Sequence, residues 1–252
     1  MSKSSVLLEH VQRYIRSTVA EKLREQGFIS KGNDDIHWYR VINGNVIHAI
    51  YFYTEYNYLP VVLEIGYGGH PLFITPQFPA GPYLRNKPGN EVLYPRYVLM
   101  AQHNNMCYSE DILVTCPKDE SVIDGILSKV LDTLDAVVTP RDCYDLHKEW
   151  RSGQIENNSW VGMSPHFVDE VVFWEDRELY PFCELYIQRQ ELLLESAAKK
   201  KALSKKCLSE LDYLQVLKRS VSDGNRDEHM RILEERTKHT IQLLEKHVGI
   251  RV

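Results

Sequence analysis

The chain is predicted to be an α+β protein: an antiparallel sheet with flanking helices, followed by a C-terminal antiparallel helical hairpin. Three observations lead there. The apolar spacing changes from a helical period to an alternating one just after Gly27. An Asn43-Gly44 pair separates two β-prone runs, and this pair suits the positive φ angles of a tight hairpin turn. Two long leucine-bearing segments near the C-terminus are joined by the turn-prone Ser222-Asp223-Gly224-Asn225, a length that folds helices back on each other.

In order along the chain, Val6, Leu7, Val11, Tyr14, Ile15, Thr18, Val19 and Leu23 form one apolar stripe, so a helix is expected from about Ser4 to Gln26 with Gly27 as its stop. Strands are expected over Ile36 to Ile42, Asn45 to Tyr56 and Leu59 to Gly66. In the second, Val46, His48, Ile50, Phe52 and Thr54 face one way and Ile47, Ala49, Tyr51, Tyr53 and Glu55 the other. Neither set is plainly polar, so both faces are expected to be at least partly covered. From Gly66 to Pro95 the chain is rich in proline and glycine and reads as a long crossing with one short edge strand near Leu72 to Thr75.

Two further strands are expected around Tyr97 to Gln102 and Asp111 to Cys116. The clearest helical pattern, Lys118 to Val138, follows and closes at Pro140. A short helix near Arg141 to Arg151 ends the α+β domain, placed at residues 1–151. The polar stretch 152–164 is the linker candidate, and 165–252 is the helical region. There, a helix starting at Pro165 is followed by one running from Pro181 to about Val221 and a last one from Arg226 to Val248. Leu203, Cys207, Leu208, Leu211, Leu214 and Leu217 face the stripe Met230, Leu233, Thr237, Ile241, Leu244 and Val248, whose near-heptad spacing is that of a coiled coil.

A 252-residue chain with 43% hydrophobic and 26% charged residues can bury a substantial core and is not expected to be disordered. A net charge of −5 is too mild to select a partner, so nucleic acid is not the expected one. The five cysteines are widely spaced and lack a C-x-x-C pair, which argues against a disulfide framework or zinc site. No signal-peptide core or apolar run of membrane-spanning length occurs, so a reducing cytoplasm is the expected compartment.

No H-E-x-x-H, G-x-S-x-G or Walker loop is present, and neither a metal nor a cofactor is implied. Gly66, Gly68 and Gly69 follow a strand, but Pro71 stands where a phosphate-binding helix would have to begin. His229 and His239 lie on a charged helix and are expected to be solvated, whereas His48 reads as a core or edge histidine. The pairs Asp34/Asp35, Glu110/Asp111 and Asp169/Glu170 specify no carboxylate chemistry, and the lysines from Lys199 to Lys206 read as a solvated helix face.

Gly27-Phe28, Lys31-Gly32-Asn33, Trp38-Tyr39-Arg40 and Gly44 together resemble the strand entry of a family of bacterial proteins of unknown function. The likeness covers at most the first 140 or so residues. It departs from the family pattern where Asp34 and Asp35 lengthen the turn before Trp38. It implies a helix followed by an antiparallel sheet, carries no activity, and does not extend to the C-terminal helices.

Two functional expectations follow. The first is a binding or adaptor protein, its hairpin mediating self-association or partner contact through Leu192, Leu193, Leu194, Met230, Leu233, Ile241 and Leu244. The alternative is an enzyme or small-ligand binder. Its pocket would lie between the segment 66–95 and the aromatic sheet, with Tyr53, Tyr67, His70, Arg85, Arg96 and His103 as the residues to test.

Overall fold

A computed structural model describes residues 3–30, 37–55, 61–73, 108–146, 148, 165–199 and 205–251. The chain divides into two compact units, one of Met1–Leu146 with Lys238–Val252 and one of His147–Thr237. Of the edge strand predicted at Leu72 to Thr75, Leu72 and Phe73 are described and form a turn instead; the strand predicted at Tyr97 to Gln102 and the linker 152–164 lie outside the described residues.

In the first unit, α1 (Lys3–Tyr14) and α2 (Ala20–Glu25) are joined by a turn of π-helix over Ile15–Val19. Gly27 stops this helix at φ 78°. Its N–H bonds to the Arg24 carbonyl at 3.0 Å and that of Phe28 to the Leu23 carbonyl at 2.9 Å, the two bonds of a Schellman close. The sheet runs β1 (His37–Ile42), β2 (Val46–Glu55), β3 (Val61–Pro71) and β4 (Tyr108–Val114), in that spatial order and antiparallel throughout. Asn43 and Gly44 take φ of 51° and 67° in the first hairpin, as the Asn-Gly pair predicts.

The third strand corrects the expected boundary at Gly66. It continues to Pro71, with Gly66 opposite Tyr51, Gly69 opposite His48 and Pro71 opposite Val46. The glycines make room for neighbours. A Cβ on Gly66 would lie 1.8 Å from the Tyr51 ring, and one on Gly69 would lie 2.8 Å from a Val137 methyl. Pro71 is tolerated because it ends the strand.

Helix α3 (Glu120–Asp135) buries Ile123, Leu127, Val130 and Leu134 in the same core as Leu7, Val11, Ile15, Val19 and Leu23 of the N-terminal helix. The two helices are tied at their surface by the Tyr14 hydroxyl donating to Asp124 at 2.7 Å and by the Lys22–Asp124 and His10–Glu120 contacts at 2.7 and 2.8 Å. Leu244, Val248 and Ile250, near the end of the chain, complete this core.

The second unit is helical: α4 (Pro165–Phe173), α5 (Tyr180–Lys199), α6 (Lys205–Ser222) and the first part of α7 (Asp227–His247). The segment read as one helix from Pro181 to Val221 is instead two, α5 and α6, packed side by side. They are antiparallel: Glu191 of α5 accepts from Gln215 at 2.5 Å and lies 3.3 Å from Lys218 Nζ of α6. On α6 and α7, Tyr213 and Arg236 meet from either side of the Ser222–Asn225 turn, with the guanidinium 4.3 Å over the ring. This is the antiparallel pairing expected of the hairpin.

Candidate functional site

The C-terminal helices carry the features that merit functional attention. On α5, Cys183, Tyr186 and Ile187 are buried, and burial pushes the Cys183 thiol up to about 12, so it behaves as an inert core group. On another side of the same helix Leu185 is 48% exposed, Leu192 67% and Leu193 57%. With ~100° per residue, these three fall within an arc of roughly 100°, forming a ridge with Arg189 and Ser196. Leu194 is half-buried. Three large apolar side chains are thus exposed on one face of a 20-residue helix, Leu185 one heptad before the adjacent Leu192 and Leu193.

The same unit holds a buried polar cluster. Asp169 of α4 is 1% exposed and receives three donors: the Tyr213 hydroxyl, His229 Nε2 at 2.9 Å and Arg236 Nη1 at 2.8 Å. Since a carboxylate only accepts, the His229 proton must sit on Nε2, and its Nδ1 has no hydrogen-bond partner among the described residues. Burial opposes the charge on Arg236, yet Asp169 and Tyr213 hold its pKa above the ordinary arginine value. Burial first, and then the Asp169 charge, push the Tyr213 phenol well above its usual range. The cluster is a buried Asp169–Arg236 ion pair to which the Tyr213 hydroxyl and His229 add two further donors. His229 corrects the solvated reading, since it is fully buried, while His239 is exposed. The available signal was the spacing of His229, Leu233 and Arg236, which puts all three on one stripe of α7.

The first unit has its own polar knot. Arg40 of β1 donates through Nε to His48 Nδ1 at 3.1 Å, through Nη1 to the Gln26 carbonyl at 3.1 Å, and through Nη2 to Asp135, with its guanidinium 4.5 Å over Phe28. The His48 proton is thereby placed on Nε2, which donates to the Val137 carbonyl at 2.6 Å. Burial, opposed by that bond and reinforced by the Arg40 charge, pushes the His48 pKa down to about 4. These bonds join the first strands to the end of α2 and the end of α3, and they describe a neutral structural histidine.

The residues proposed for an aromatic pocket are not gathered by the described structure. Tyr53 is in register with Glu64; His70 is on the sheet face of Tyr51 and Gly66, whereas Tyr67, opposite Ile50, is on the other face. Tyr67 and His70 are both buried, and Arg85, Arg96 and His103 fall outside the described residues. A shallow cleft of about 370 Å³ is lined by Gly27, Ile29, Arg40, Val41, Gly44, Ile250 and Arg251, which include neither Tyr67 nor His70. Of the residues proposed for partner contact, Leu192 and Leu193 are exposed. Met230 and Ile241 are half-buried, Leu233 is buried, and Leu244 is fully buried in the core of the first unit. Leu185, seven residues before Leu192, was missed; that heptad interval was the signal.

Among the described residues no group of three or more His, Cys, Asp or Glu could hold a metal ion, and no helix is long and apolar enough to cross a membrane. No protein-family model matches the chain, and neither a curated protein nor a solved structure is similar enough to it to be compared.

Proposed function

We propose that the protein is a binding or adaptor protein, and that α5 is the protein-contacting surface of its helical unit. The observation that carries this reading is the ridge of Leu185, Leu192 and Leu193. It stands in water on a helix whose position is fixed from another side by Glu191, Gln215 and Lys218 of the α5–α6 pair. A rigid helix presenting spaced apolar anchors is a recurrent recognition geometry. The coiled-coil-like spacing of the last helices, a cytoplasmic setting and the resemblance of the N-terminal part to a bacterial family belong to the same reading, and that resemblance implies no activity.

The test compares the full chain with the double variant Leu192→Glu/Leu193→Glu. Both would be judged by analytical gel filtration and by capture from native lysate at matched far-UV circular dichroism. A protein contact retained by the wild type and lost by the variant is the expected result. Identical behaviour of two equally folded proteins would remove α5 from consideration. Attention would then return to an enzyme or ligand-binding role for the sheet, beginning with alanine at His70.

A further inference from the structure

We propose that residues 137–146 form a flap that acid releases from the sheet, with His48 as its latch. The chain enters this segment just after α3 and leaves the first unit at Leu146. The hold on the sheet is local. Val137, Cys143 and Val46 make a small buried cluster of their own, flanked by half-buried Ile42 and Leu146 and separate from the main core. Val137 also covers His48 and Gly69. Its carbonyl accepts from His48 Nε2 at 2.6 Å, and one of its methyls stands 2.8 Å from where a Gly69 Cβ would lie. Opening such a satellite cluster exposes far less apolar surface than opening the main core, which places it at the low-stability end of the unit.

The segment carries its own internal bonds. Asp142 accepts from the Val138 and Thr139 N–H groups at 3.0 and 2.7 Å, and Thr139 Oγ1 accepts from the Asp142 N–H at 3.2 Å. These reciprocal bonds cap the short helix that contains Cys143, so the segment parts from the sheet as a body rather than by unravelling.

The latch closes only with a neutral imidazole. Nδ1 accepts from Arg40 Nε at 3.1 Å while Nε2 donates to Val137, so both ring nitrogens are committed. A second proton would turn Nδ1 into a donor aimed at another donor, and would set an imidazolium beside a guanidinium. The charged groups facing His48 are Arg40 from β1 and Asp135 from the end of α3, and Asp135 is itself paired with Arg40. The flap faces the ring with the Val137 carbonyl. Lifting Val137 gives the ring to water, where it takes up the proton, so acid draws the segment open. Burial, opposed by the Val137 bond and reinforced by Arg40, holds the closed-state pKa at about 4 against the ordinary 6.5. The open-to-closed ratio should therefore rise about 70-fold between pH 7.5 and 4.5.

The experiment is hydrogen exchange on the full chain from pH 7.5 to 4.5, read by mass spectrometry and corrected for intrinsic exchange rates. The expected result is a protection of residues 137–146 that falls about 70-fold over that range and stays below that of β2 and β3 throughout. His48→Gln, which keeps both bonds but takes up no proton, should remove the fall. At pH 4.5, buried Cys143 should react with 4,4′-dithiodipyridine faster in the wild type than in this variant, the two being matched by far-UV circular dichroism. The wild-type profile is decisive even if the variant folds poorly. Protection of 137–146 that does not change with pH overturns the proposal. So does exchange of the segment at the same rate as β2 and β3, since the opening would then be that of the whole unit. A folded His48→Gln chain with an unaltered pH dependence would move the latch away from His48 and overturn it too.

Discussion

At the scale of single residues, each unit holds a buried polar side chain tied to an arginine, and the two have different consequences. His48 is neutral in the folded chain, its pKa lowered from 6.5 to about 4 by burial and by Arg40. Between those values the unfolded chain binds a proton that the folded one refuses, so this stabilisation is complete above pH 6.5 and is lost as the pH falls toward 4. The span corresponds to roughly 3 kcal/mol as an upper figure. Urea midpoints measured from pH 7.5 to 4.5 should fall accordingly. His48→Gln, which can still donate to Val137 and accept from Arg40, should flatten that dependence. Asp169 behaves differently because it is the counter-charge of Arg236. Asp169→Asn should destabilise the fold by about 3 kcal/mol by leaving a largely buried guanidinium uncompensated. Chemical denaturation followed by circular dichroism checks this, and a change within about 0.5 kcal/mol would show the cluster to be energetically idle.

At the scale of elements, β3 shows how a strand can be hidden by its own composition. Gly66, Gly68, Gly69 and Pro71 read as a break, because glycine and proline are poor strand residues in isolation. They are used here because the space above them is taken: the Tyr51 ring occupies the place a Gly66 side chain would need, and Val137 crowds Gly69. Gly66→Ala should therefore displace the Tyr51 ring and break its hydroxyl bond to Glu64, which measures 2.5 Å. The cost should be about 2 kcal/mol. In a Tyr51→Ala background the same change should be nearly neutral, and additive effects in that thermal-unfolding cycle would contradict the packing argument. The helices were more legible. Most of the apolar stripe residues of α1 and α3 are buried in the structure, with Val6 and Val122 left exposed at their edges. The break between α5 and α6 was not legible, since no glycine or proline marks it; side-by-side packing of the two helices decided it. The candidate contact surface was half legible: Leu192 and Leu193 stood out as a run, but Leu185 is isolated between Glu184 and Tyr186.

At the scale of the whole molecule, the chain returns to its first unit at the end. The residues from Lys238 onward group with that unit, and Leu244, Val248 and Ile250 lie in its core. A chain ending at Thr237 should lose more stability there than the ~2–5 kcal/mol of a single core Leu→Ala change. Hydrogen exchange should report it directly: amides of β1 to β3 lose protection if these three residues close the core, and keep it if they do not.

The sequence by itself determined the α+β class, the Asn43-Gly44 hairpin, the first strands, the apolar helix faces and the antiparallel turn at Ser222–Asn225. All of these rest on local periodicity and on backbone conformations that few residue types can adopt. Only the tertiary structure decided which polar residues are buried, which glycines belong to a strand, and where the last leucines pack. Each depends on what lies across the contact from residues distant in the chain. Asp169 meets His229 and Arg236 across about sixty residues, Arg40 meets Asp135 across nearly a hundred, and no local pattern encodes either meeting.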